Sequence, residues 1–179
     1  MTPTLIGYFP KRTEVPSGWS STGHPVSEIC GVSTCLAPAP DGWIEFWRHN
    51  ELGVFDSPEL AKSVIPKGAK GFSVFAYRLF PEKFADGVRS PLAIEPVSPV
   101  PLPPSFCPLG LDVVSRSLSA YFECSPLSCN YGAKEIEVNQ YCLLESLETA
   151  VALATRMSLG EEEPGPYYIV EVLRSRPGA

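Results

Sequence analysis

The chain has 179 residues, 44% hydrophobic and 19% charged, enough for one sizeable core and well outside the composition of disordered chains. Its net charge is −6 and its 14 Lys and Arg are scattered, which argues against a nucleic-acid partner, because phosphate binding needs clustered positive charge. No stretch approaches the roughly 20 apolar residues of a membrane helix, and residues 1–8 lack a basic-then-apolar secretory pattern. The expectation is a cytoplasmic protein without membrane association, with its six cysteines kept as thiols.

In chain order, residues 5–9 (Leu-Ile-Gly-Tyr-Phe) suit an opening strand, followed by the pair Cys30 and Cys35. Residues 41–53 then read as an inserted amphipathic helix, near 41–52, with Asp41 as cap, Gly53 as stop and Trp43, Phe46 and Trp47 on one face. Val54 and Phe55 form a short strand that leads into a helix capped by Ser57, with Pro58 at its first position and Glu59 near its positive end. This helix stops near Ile65, before Pro66, Lys67 and Gly68, and residues 71–79 form an apolar strand.

Seven prolines fall in the 18 positions 91–108, where missing amide hydrogens and fixed φ angles favour an extended strap over a helix or a central strand. Its interleaved Leu92, Ile94, Val97, Val100, Leu102 and Phe106 imply that it lies against the domain; residues 101–104 as a ligand for a proline-recognising groove are the alternative. Beyond the strap the order recurs: a strand at 109–114, the pair Cys124 and Cys129, and Leu143-Leu144 leading to a helix capped by Ser146. That helix buries Leu147, Ala150, Val151, Ala154 and Met157, and after an acidic, proline-broken loop comes a strand at 167–173.

The expected fold is α+β: two similar halves (strand, Cys loop, strand, helix, strand) packed as one pseudo-symmetric globule around a mixed or antiparallel sheet. The first half spans 1–90, the strap 91–108 and the second half 109–179, as one compact domain. The matched positions are Ser57 with Ser146, Glu59 with Glu148, Ala61 with Ala150, and the two Cys pairs, each enclosing four residues. Good capping chemistry alone can produce part of that match.

Three chemistries are compatible with these residues. Four paired cysteines suit a tetrahedral zinc if the two loops converge, but a gap of four residues is wider than that of common zinc knuckles. Core packing of the thiols is therefore preferred, and neither metal nor cofactor is expected. A cysteine hydrolase or transferase using Cys124 or Cys129 would need His49 brought across from the first half, with Asn130 as orienting group; His24 is the one other histidine. The third, and preferred, reading is a binding or interaction module for an unidentified protein or small molecule, with its cleft between the halves. The candidate lining is Cys124, Ser125, Ser128, Cys129 and Asn130 from the loop, Arg48, His49 and Glu51 from the insertion, and Arg116 from the polar run Asp112, Ser115, Arg116 at a strand end. No phosphate loop, zinc-protease, nucleophile-elbow or dinucleotide motif is present.

Overall fold

A computed structural model describes residues 2–21, 25–36, 40, 49–92, 101–116, 124–129, 132–160 and 165–176. Their elements are β1 (Thr4–Arg12), α1 (Pro58–Ser63), β2 (Phe72–Ala85), β3 (Val88–Pro91), β4 (Phe106–Ser115), α2 (Leu147–Met157) and β5 (Tyr167–Ser175). The sheet is antiparallel throughout, in the order β1-β2-β5-β4, with β3 as a hairpin on the far end of β2. Strand β3 was not expected from sequence, although the two-residue turn Asp86-Gly87, both at positive φ, is a strong hairpin signal.

Consecutive strand residues point to opposite faces, so the unbroken burial of residues 74–77 in β2, 111–115 in β4 and 167–170 in β5 means that both faces are covered. One apolar cluster gathers Ala61 and Val64 at α1 with Tyr8, Phe55, Phe75 and Val172; a second gathers Ala150, Leu153 and Ala154 of α2 with Leu111, Val113, Leu127 and Ile169. Leu153, rather than Leu147 or Met157, is the large side chain that α2 buries.

Both helices begin as expected. Ser57 Oγ accepts from Leu60 N (3.2 Å) and Ser146 Oγ from Thr149 N (3.1 Å). The expected strands at 54–55 and 143–144 are reduced to isolated bridges, Phe55 with Tyr8 and with His49, and Leu144 with Leu111.

Two expectations change at their margins. β4 starts at Phe106, inside the proline strap: Pro108 is tolerated because β4 is an edge strand and the register shifts between Pro108 and Gly110. Residues 93–100 of the strap and 41–48 of the insertion lie outside the described residues. The end of the expected insertion helix, residues 50–53, is a turn instead. Asn50 Oδ1 accepts from Leu52 N (3.0 Å) and Val54 N (3.4 Å), drawing the backbone out of a helical path, and Gly53 adopts φ +74°.

Candidate metal centre

The chain leaving β1 crosses onto the second half of the molecule. Ser27 N and Glu28 N donate to Gln140 O (2.9 and 3.2 Å), and Cys30 N donates to Tyr141 O (3.1 Å). Arg174 of β5 clamps Glu28 with two bonds of 2.7 and 2.8 Å, and its guanidinium lies 5.3 Å from the Tyr141 ring centre. The loop carrying Cys30 and Cys35 is therefore held by residues of the opposite half.

Two buried charges set the floor of this junction. Lys11, at the end of β1, is fully buried, and its ammonium donates to Gly31 O and to Ser33 O (2.8 Å). Burial pushes its pKa down to about 8, against the attraction of Asp112 and of the thiols Cys30, Cys129 and Cys35. Asp112, in β4, is also fully buried: Oδ2 accepts from Val32 N (2.7 Å), and Oδ1 accepts from Ser125 Oγ (2.7 Å) and Val113 N (2.9 Å). Burial raises its pKa to about 6 even though these bonds and Lys11 favour the ionised form. One carboxylate thus ties both cysteine loops to the same strand. Gly31 is required here, since a Cβ at that position would lie 2.7 Å from Asp112 Oδ2.

Above this floor the two loops meet. Cys35, Cys124 and Cys129 place their Sγ atoms within 4.8 Å of one another, and Cys35 Sγ is 4.0 Å from Cys124 Sγ. Each is positioned separately. Cys35 N donates to Ser33 Oγ (3.2 Å), Cys124 pairs through its backbone with Ser115 (N···O 2.9 Å), and Cys129 N donates to Ser125 O (2.8 Å) to close a turn. Trp19 Nε1 pins that turn from outside by donating to Ser128 O (3.1 Å). Cys129 Sγ also sits 3.1 Å from Ser33 Oγ, a contact between the two loops. Cys35 is exposed, while Cys124 and Cys129 are half-buried.

Such a set can act as a soft-metal ligand. In a zinc–thiolate tetrahedron with bonds of about 2.3 Å, sulfur atoms stand about 3.8 Å apart. The observed separations require only small side-chain adjustments to reach that geometry. The remaining cysteines differ in setting. Cys30 and Cys142 are buried, and burial pushes both thiols up to about 12, as for small core side chains. Cys107 lies apart on β4, with Arg176 Nε at 2.9 Å from its sulfur.

The candidate residues inferred from sequence are partly reunited. Cys124, Ser125, Ser128 and Cys129 share one loop; Asn130 and Arg48 lie outside the described residues. Arg116 donates to Glu51 O (3.4 Å) across the two halves, and His49 Nδ1 lies 3.3 Å from Asn50 O. No family model, curated protein or solved structure matches the chain. For a thiol-hydrolase role the relevant finding is the direction of the Cys129 shift: burial raises its pKa, whereas a thiolate nucleophile needs it lowered.

Sequence reasoning leaves Ser33 and Lys11 out of the site and includes Cys35 only in the disfavoured four-cysteine zinc arrangement. The available signal was Asp112 inside an otherwise apolar run, since a buried carboxylate needs a partner; Lys11, beside Arg12 at the end of β1, gave none. An open pocket of about 370 Å³ lined by Glu137, Val138, Asn139, Glu145, Ser146 and Thr149 contains none of the thiols. Asn139 and Ser146 are already engaged there in a turn and in a helix cap, so the pocket is a by-product of the turn-to-helix junction.

Proposed function

We propose that this protein is a metal-binding module in which Cys35, Cys124 and Cys129 hold one thiophilic ion, zinc in the first instance, at the junction of two duplicated units. The observation that carries the reading is the approach of three thiol sulfurs within 4.8 Å from two loops 89 residues apart at their closest pair, Cys35 and Cys124. Three thiolates leave a fourth position of the tetrahedron for a further donor, and the floor of Lys11 and Asp112 limits how far either loop can withdraw. This reading takes up the zinc alternative, which the spacing within each cysteine pair had disfavoured, in place of the protein or small-molecule binding module preferred from sequence.

The duplicated units are supported by a hydrogen-bond pattern more detailed than helix capping demands. Asn50 Nδ2 donates to Ile6 O (2.9 Å) and Asn139 Nδ2 to Leu109 O (2.8 Å), each at the strand residue beside a register shift. Asn139 Oδ1 accepts from Tyr141 N and Leu143 N, as Asn50 Oδ1 does from Leu52 N and Val54 N. Gly7 and Gly110 follow those shifts at φ +147° and +150°, each with no room for a Cβ.

Metal analysis of the purified chain tests the reading. About one zinc per chain is expected, with binding lost in Cys35→Ser, Cys124→Ser and Cys129→Ser and kept in Cys107→Ser. A metal-free protein that also fails to take up added zinc or cobalt would overturn it, as would equal loss in Cys107→Ser.

A further inference from the structure

We propose that the centre is also a thiol switch: a hydroperoxide closes Cys35 and Cys124 into a disulfide, and the ion is released. This rests on the metal-binding reading for its consequence, though not for its chemistry. The three thiols are unequal in a way that metal binding alone does not require. Cys35 is exposed, in a loop whose backbone is held at Gly31 and Ser33, and of the three it is the thiol most accessible to a dissolved oxidant. Its sulfur is 4.0 Å from Cys124 Sγ, so a disulfide bond of about 2.05 Å asks for a movement of about 2 Å. Cys129 is placed differently: hydroxyls of Ser33 (3.1 Å) and Ser128 (3.8 Å) face its sulfur, and its amide is locked into the Ser125 turn.

The chemistry balances with a hydroperoxide as oxidant. The Cys35 thiolate attacks the peroxide, the O–O bond breaks, and an alcohol (water, from hydrogen peroxide) leaves with a proton, giving Cys35 sulfenic acid. The Cys124 thiolate then attacks the Cys35 sulfur, the S–O bond breaks, and hydroxide leaves as water after taking a proton. Two thiols lose two electrons and the peroxide gains them. Two of the three ligands are consumed, and one thiolate does not retain the ion.

The test is a hydrogen peroxide titration of the zinc-loaded full chain, followed by released zinc, by free-thiol count and by mass spectrometry of the linked peptides. One zinc released per two thiols lost is expected, with fragment ions joining Cys35 to Cys124. Thiol loss should slow by about tenfold or more in Cys35→Ser, whereas Cys129→Ser should still form the bond. The same titration on metal-free protein separates the two readings. If the Cys35–Cys124 bond forms there but zinc never binds, the switch chemistry stands and the metal reading falls. If zinc binds but peroxide leaves it in place, or links Cys129 or Cys107 instead, the switch is overturned and the metal reading stands.

Discussion

A buried ammonium and a buried carboxylate titrate in opposite senses, and Lys11 and Asp112 present both in one junction. Asp112 has its pKa raised to about 6, so between about pH 4 and 6 the folded chain holds a proton that the unfolded chain has released. Its contribution to stability is full below that window and is lost as pH rises through 6. Lys11 is shifted down to about 8, so between pH 8 and about 10.5 the unfolded chain binds the extra proton and stability rises with pH. Cys30 and Cys142, raised to about 12, act against this limb above pH 9, which makes comparison with a variant necessary. Lys11→Met is expected to cost roughly 1–3 kcal/mol at pH 7, because Gly31 O and Ser33 O lose their donor, and the deficit should change progressively from pH 8 to 10. Urea unfolding of both proteins across that range provides the measurement. A deficit independent of pH would show that Lys11 keeps an ordinary pKa in the fold.

At the scale of elements, the two asparagine turns make the sharpest claim. Each caps a bulge carbonyl and organises the turn before a helix, so Asn50→Ala and Asn139→Ala should each destabilise by roughly 1–3 kcal/mol, and by similar amounts. A large loss at one site and none at the other, in the same urea experiment, would contradict the equivalence of the turns.

Those turns also show where sequence reading succeeds and stops. Helix caps are local, and Ser57, Pro58 and Ser146 announced both helices within a residue or two. The apolar runs at 71–79 and 167–173 marked the two central strands because full burial leaves few polar positions. The turn at 50–53 reads as helix in the sequence because the aromatic spacing ahead of it outweighs Asn50, whose local bonds to Leu52 N and Val54 N are anchored by one to Ile6 O, 44 positions away, which no local pattern encodes. The thiol cluster was hidden for the same reason. Judged by spacing within each pair, Cys30/Cys35 and Cys124/Cys129 fit a metal poorly. The cluster that forms leaves Cys30 in the core and recruits Cys35 across the two loops.

For the whole molecule, the strand order places β2 and β5, one from each half, side by side at the centre. The first apolar cluster draws Val114, Leu143, Val170 and Val172 from the second half, so the halves share a core. A metal bound only by the folded chain adds to its stability by mass action, about 2.7 kcal/mol at a hundredfold excess over the dissociation constant. For a chain of this length that corresponds to roughly 5–11 °C in Tm, so a strong chelator should lower the melting temperature of zinc-loaded protein by about that much. In the Cys124→Ser protein the same chelator should have no effect; an equal shift there would place the metal elsewhere.

The outer strands carry a consequence of their own. β1 and β4 are the two long edge strands of the sheet, and each holds a proline (Pro10, Pro108), a glycine-marked register shift and a single bridge to a passing segment at Phe55 or Leu144. Between them these features interrupt the row of free amide and carbonyl groups that a strand from a neighbouring molecule would need to dock. Both long edges are thus poor templates for a neighbouring strand, and the remaining edge among the described residues, β3, paired only with β2, is just four residues long, which leaves little room for edge-to-edge aggregation.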